Sequence, residues 1–213
     1  MNIQHFVTHY TPLKERKEHI QKHFECHGIT DYTFIETHDR ENLTQQELSK
    51  FEKISPSEIS LFYKHIEIFK RQNSKMGGGI TCVYEDDAVL CDNFLQHLHN
   101  CIEQLPEDWD IVFGGECADL HEWNRIGGQL VYPRETSRGT CFYIINSRCL
   151  NKVVSYFDES DKVSCAIDWW FNHIYLNDNS LNDNSYKYFW TEPTLVRQGS
   201  ELGWFKKSIE ITL

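Results

Sequence analysis

Glu85, Asp86 and Asp87 stand side by side between two apolar runs in the stretch GITCVYEDDAVL. Three adjacent carboxylates repel one another and resist burial. At the end of an interior strand they make chemical sense if a divalent cation neutralises them. Mg²⁺ and Mn²⁺ take hard oxygen ligands and keep waters or substrate phosphates in their remaining positions. Alternate residues of an extended segment point the same way. Glu85 and Asp87 therefore form an E-x-D pair for one ion, and Asp86 points elsewhere. A nucleoside diphosphate would complete the coordination. The plain alternative is a solvated loop, or the cap of a following helix.

The elements around the triplet must place it at a strand end. NIQHFVTHY reads as a first strand, followed by a helix over TPLKERKEHIQKHFECHG with Thr11 as cap, Pro12 at the first position, Leu13, Ile20 and Phe24 on one face and Gly28 as stop. YTFIET is a second strand, and a polar loop and helix follow. SPSEISLFYKHIEIFKRQ is the clearest helix: Ser55 caps it, Pro56 takes the first position, Glu58 completes a capping box, and Ile59, Phe62, Ile66 and Phe69 recur at helical spacing. NSKMGGG reads as a loop before the strand ITCVYED. CDNFLQHLHNCIEQL is a helix with Leu95, Leu98, Ile102 and Leu105 inward. WDIVFGG and GTCFYIINS are strands, RCLNKVVSYF and AIDWWFNHIYL helices, and YKYFWTEP a strand. LNDNSLNDNS reads as a loop, and the tail after Pro193 lacks periodicity. Strands alternating with helices predict an α/β fold with a mainly parallel central sheet flanked by helices. No linker or repeat divides the chain, so one domain over 1–213 is expected.

Bulk properties narrow the function. A net charge of −11 in 213 residues argues against a general nucleic-acid binder. A localised positive device, a metal ion above all, is needed for any phosphorylated ligand. There is no apolar run of 18 residues for a membrane span and no signal-peptide pattern. The eight cysteines form no C-x-x-C pair and sit in apolar runs, which reads as free thiols in a reducing, cytoplasmic setting. Eleven histidines show no zinc-ligand spacing. His65 reads as structural.

The segment from Ser55 to Leu90 resembles the glycosyltransferases of the lipopolysaccharide-synthesis and procollagen-galactosyltransferase type (family 25-like). In these a capped helix with a Ser-His-like pair leads to a strand ending in E-D-D-A; here the pair is Lys64-His65, so the Ser is absent. WDIVFGGEC, GTCFYIINSRCLNKVV and AIDWW continue the likeness in order, at low identity. The chain also looks like the glycosyltransferase domain of a large algal-virus (chlorovirus) protein, which would place it in the host cytoplasm. The resemblance implies a GT-A, Rossmann-like fold, with a nucleotide-binding part at about 1–115 and an acceptor-side part at about 116–213. It also implies a UDP-sugar donor, a glycan or glycoprotein acceptor, and Mn²⁺ or Mg²⁺ as cofactor.

Roles carried over by analogy are expectations. Thr8, Tyr10 and Arg16 fall near uracil and ribose, with His38 and Asp39 as further nucleotide-side candidates. Each also has a plain reading, Arg16 as a surface charge. Glu85 and Asp87 hold the metal; Asp86 contacts ribose or shares the ion. Arg197 approaches the diphosphate. Inversion needs a base opposite the leaving group. Asp168 is the choice, with Trp169 and Trp170 as a surface for a sugar ring, against its alternative as a helix cap with both tryptophans in the core. Glu116 is the second choice as base or acceptor contact. Two other classes compete: a nucleotidyltransferase or phosphohydrolase on a related sheet, and a catalytically silent carbohydrate-binding domain. KMGGG fits the first poorly, since no helix follows it.

Overall fold

A computed structural model describes residues 2–74, 79–118, 120–179 and 186–206. Nine strands and six α-helices are described: β1 Ile3–Thr8, α1 Lys14–Cys26, β2 Tyr32–Ile35, α2 Gln45–Ser49, α3 Pro56–Asn73, β3 Ile80–Glu85, β4 Ala88–Leu90, α4 Phe94–Glu103, β5 Ile111–Phe113, β6 Val131–Arg134, β7 Phe142–Asn146, α5 Ser147–Glu159, α6 Ile167–Asn179, β8 Tyr188–Thr191 and β9 Val196–Gln198.

Seven strands form one sheet in the order β2-β1-β3-β7-β5-β8-β6, and β4 pairs with β9 in a small second sheet. β1 pairs in parallel with β2 and β3, and β5 with β8, whereas β7 and β6 run antiparallel to their neighbours. Five of the seven strands thus share a direction, which matches the expected mainly parallel sheet. The reversal of β7 has a consequence for the site. The carboxyl ends of β1, β3, β5 and β8 and the amino end of β7 all emerge on one edge.

Apolar cores cover both faces, as parallel strands require. Phe6, Val83, Ile111, Phe113, Tyr143 and Ile145 face α3, α5 and α6, and their alternates Val7, Cys82, Tyr84, Val112, Phe142 and Ile144 face α1 and α4. The period of two along each strand divides the layers. α3 carries the expected capping box: the Ser55 side chain accepts from the Glu58 N–H, Glu58 reaches back to the Ser55 N–H, and Pro56 opens the helix. Gly28, at φ +73°, ends α1 in the left-handed conformation that glycine adopts freely.

Several expectations need correction. Thr11 does not cap α1. The helix begins two residues later, with Leu13 at the cap position, and the Thr11 hydroxyl donates to Asp39 instead. Leu95 is 39% exposed, because α4 turns Phe94, Leu98 and Cys101 to the core. β6 and β9 arise in stretches without clear periodicity: β6 is an antiparallel edge strand, and β9 has three residues. α6 runs to Asn179, into the expected LNDNS loop; the rest of that loop, and most of NSKMGGG, lie outside the described residues. All eight cysteines are free; Cys82, Cys101, Cys141 and Cys149 are buried, but Cys26 is exposed. His65 is buried inside α3, stacked on Tyr143 with its Nδ1 2.8 Å from the Tyr143 hydroxyl.

Candidate active site

β3 delivers Glu85 at its last residue, and a two-residue turn, Asp86–Asp87, leads into β4. The turn splits the triplet. Asp86 points toward β1 and α1: its Oδ2 lies 2.8 Å from His9 Nδ1 and accepts from the Tyr10 N–H, and its Oδ1 accepts from Arg16 Nη1 at 3.0 Å. Asp87 is fully buried. Its Oδ2 accepts from the Ser200 N–H at 3.1 Å and lies 3.4 Å from Arg16 Nη1. Its Oδ1 is buried with no hydrogen-bond partner among the described residues. Glu85 accepts from Thr140 Oγ1 at 2.9 Å on one oxygen and from Gln198 Nε2 at 3.4 Å on the other.

Electrostatics follow from this packing. Burial first, then the neighbouring Asp87, pushes the Glu85 carboxyl up to about 8, and burial raises Asp87 against the pull of Arg16. One guanidinium faces three carboxylates, and one buried carboxylate oxygen is unpartnered. Such a cluster has the donor set and the charge deficit of a divalent-cation site. Among the described residues, no group of three or more His, Cys, Asp or Glu is arranged as a complete metal cage. Of the expected pair, Glu85 lines both cavities described below, whereas Asp87 is fully buried and lines neither. Glu85 and Asp87 supply hard carboxylate oxygens of the kind that Mg²⁺ or Mn²⁺ takes.

Two cavities open beside the motif. The first is lined by Thr8, His9, Tyr10, Arg16, Arg40, Ser57, Ser60, Leu61, Lys64, Glu85 and Asp86. Thr8, Tyr10, Arg16 and Asp86 come together here, and Arg16 is a buried ion-pair partner, not a surface charge. Tyr10 carries the Arg40 guanidinium on its ring, 4.6 Å from the centroid. Asp39 lies behind the wall, 2.8 Å from Lys64 Nζ. His38 is not part of the lining: its ring stacks on Tyr63 and bonds Glu47, 2.6 Å away. Sequence reasoning missed His9, Arg40, Ser57, Ser60 and Lys64 as lining residues. Lys64 alone left a trace, as a lysine between apolar positions of α3.

The second cavity is lined by Glu58, Leu61, Glu85, Glu116, Cys117, Gly139, Thr140, Cys141, Ala166, Ile167, Asp168 and Gln198. Asp168, Glu116 and Glu85, spread over 83 positions of sequence, thus share one wall. Burial raises the Asp168 carboxyl above the ordinary carboxylate range, opposed by the Trp169 N–H. Asp168 is not the helix cap. The Ala166 carbonyl accepts the first helical bond, from the Trp170 N–H at 2.9 Å, which makes Ala166 the cap residue. The two tryptophans part company: Trp169 is 63% exposed, and Trp170, 3% exposed, packs in the core on Phe62 and Phe171. Only Trp169 is open to a ligand. Arg197 donates to Glu116 at 3.1 Å and lines a further cleft with Glu116, Cys117 and Gln198.

The sequence model of glycosyltransferase family 25 (LPS biosynthesis protein) matches residues 2–126. The chain belongs to glycosyltransferase family 25. The match takes in β1, α3 and the acidic triplet and ends before Thr140, Asp168 and Gln198. Among solved structures, the chain is similar to a glycosyltransferase involved in the glycosylation of the major capsid of PBCV-1, at 10% identity and a TM-score of 0.43, covering 74% of this chain and 66% of that one. It is similar to A197 from STIV at 13% identity and a TM-score of 0.34, covering 78% and 82%. A third, the nucleoside-diphosphate-sugar pyrophosphorylase from Vibrio cholerae RC9, has 10% identity and a TM-score of 0.36, covering 92% and 75%. The chain spans just under two thirds of the length of the first. No curated protein sequence matches significantly. Among the described residues, no helix is long and apolar enough to cross a membrane.

Proposed function

We propose that this family member is a metal-dependent glycosyltransferase that moves a sugar from a UDP-sugar to a hydroxyl of a glycan or glycoprotein acceptor, with inversion. The observation that carries the reading is that the two cavities share Leu61 and Glu85. A donor in the first cavity would present its sugar at that junction, and an acceptor in the second would meet it there. In this reading the nucleotide-binding part is about 1–115 and the acceptor-side part about 116–213, within one domain. The acceptor would be a hydroxyl of a glycan or glycoprotein, and the setting viral glycosylation in a host cytoplasm.

Glu85 and Asp87 would hold the Mn²⁺ or Mg²⁺. The ion's contribution is to offset the charge that develops on the departing diphosphate. The chain's own groups do the rest. Thr8, His9 and Tyr10 border the base and ribose end, and Arg40 and Lys64 supply positive charge to the wall. Asp168, on the far side of the junction, accepts the proton of the attacking hydroxyl; its raised pKa makes it a better base than an exposed aspartate. Glu116 lies beside the acceptor.

Calorimetric titration with UDP-, GDP- and CDP-sugars, with and without Mn²⁺, tests this reading, with Asp87→Ala as the comparison protein. The expected result is Mn²⁺-dependent binding, tightest for UDP-sugars, that Asp87→Ala loses without unfolding. Tighter binding of GDP-sugars, or undiminished Mn²⁺-dependent binding by the variant, overturns the donor or the metal assignment respectively.

A further inference from the structure

Five consecutive residues, Ser137–Cys141, touch three of the four acidic residues that line the second cavity, Glu85 through its carboxylate and Asp168 and Glu116 through their main-chain carbonyls. Ser137 Oγ donates to the Asp168 carbonyl at 2.8 Å, and the Ser137 N–H donates to Asn172 in the same helix at 2.6 Å. Thr140 Oγ1 donates to the Glu85 carboxylate at 2.9 Å. Cys141 Sγ donates to the Glu116 carbonyl at 3.6 Å, and the Cys141 carbonyl accepts from the Glu85 N–H at 3.0 Å. α6, β3 and the end of β5 are otherwise remote from one another in sequence.

The segment is itself fixed to the sheet. Arg138 is fully buried; its Nη1 donates to Glu192 at 2.7 Å and its Nη2 to the carbonyls of Phe113 and Thr191 at 3.2 and 2.8 Å. Gly139 sits at φ +68°, and a Cβ there would come within 3.0 Å of Cys117. A buried ion pair and a left-handed turn thus hold the hydroxyl of Thr140 in one place. Its neighbour Gln198 reaches the other Glu85 oxygen, so both oxygens of that carboxylate are held.

We infer that Ser137–Cys141 is a positioning clamp, in which Thr140 orients the Glu85 carboxylate for cation binding while Ser137 anchors the Asp168 turn of α6. The inference rests on the metal role given to Glu85 above. A hydroxyl that donates to one lone pair of a ligand carboxylate fixes the group's orientation and leaves the remaining lone pairs for the ion, and removing such a partner costs about 10–100-fold in metal affinity. Thr140 is a positioning residue, since it acts through Glu85.

Thr140→Val keeps the side-chain shape and removes the donor; Thr140→Ser keeps the donor. Mn²⁺ binding is read directly by electron paramagnetic resonance, in the presence of UDP, and folding by thermal melting. The clamp predicts that Thr140→Val binds Mn²⁺ about 10–100-fold more weakly and that Thr140→Ser restores most of the loss. A Thr140→Val protein that melts lower but binds Mn²⁺ as tightly as the parent overturns the clamp and leaves the metal reading standing. A parent that binds no Mn²⁺ overturns both. Equal loss in the Val and Ser variants also overturns it, because the hydroxyl would then not be the operative group.

Discussion

At the scale of single residues, the separation of Asp168 from helix capping decides what its replacement should do. Ala166 provides the cap carbonyl, so Asp168→Asn keeps the helix start and the side-chain shape and removes only the basicity. Donor binding should persist, and transfer should fall roughly 10²–10⁴-fold, the usual range for loss of a general base. The pH profile adds a second check. Burial raises the Asp168 carboxyl, so the ionised base is lost on acidification earlier than for an ordinary aspartate of pKa about 3.9. The acid limb of kcat in the parent should lie above that value and vanish in the Asn variant. Near-normal turnover in Asp168→Asn would remove the base assignment and turn attention to Glu116.

At the scale of elements, the strap formed by β9 and the turn after it holds the acidic motif from above. β9 pairs with β4 in the register Ala88↔Gln198, Val89↔Arg197 and Leu90↔Val196. The Gly199 N–H then donates to the Asp87 carbonyl at 2.8 Å, and the Ser200 N–H to its carboxylate. Close approach is possible because residue 199 has no side chain: a Cβ would stand 2.8 Å from the Asp87 carbonyl oxygen and 2.9 Å from the Phe205 ring. One of those neighbours is backbone and cannot swing away. Gly199→Ala should therefore cost about 1–3 kcal/mol, the range for overpacking, and should weaken Mn²⁺ binding as Ser200 leaves Asp87. Denaturant midpoints and Mn²⁺ titration measure the two effects. An unchanged midpoint would show that the strap accommodates the methyl and does not grip the motif.

At the scale of the whole molecule, buried histidines and buried carboxylates give stability opposite dependences on pH. Burial lowers His65 to about 3 and His5 and His23 to about 4. Their folded pKa values lie below the unfolded value near 6.5. The unfolded chain therefore binds more protons below that pH, and stability is lost on acidification from 6.5 downward. Glu85, raised to about 8, acts the other way, since its protonated form is favoured in the fold as pH falls from 8 toward 4.5. A comparison with His65→Gln isolates one contribution. The parent's stability advantage over the variant should shrink by about 1.4 kcal/mol for each pH unit below 6.5. Urea unfolding at pH 7, 6 and 5 measures it, and a constant advantage would show that His65 is not held neutral by burial.

Local rules were enough for the elements that carry their own signals. The Ser55–Glu58 capping box, the apolar period of α3, the Gly28 stop and the unbroken apolar run of β3 each arise from neighbours a few residues apart, so sequence alone determined them, together with the mainly parallel α/β class and the place of Glu85–Asp87 at a strand end. It also determined the family resemblance, whose motifs lie in that same stretch. Three-residue β9 and edge strand β6 carry no such period; pairing with β4 and β8 creates them. His9, Lys64, Thr140 and Gln198 are ordinary polar residues until the sheet order sets β7 between β3 and β5. Tertiary structure alone decided that Trp170 is core and Trp169 surface, since adjacent helical positions point about 100° apart and packing chooses which one turns inward. It alone joined Glu85, Glu116 and Asp168, because sheet order, not sequence distance, decides which strand ends meet at one edge.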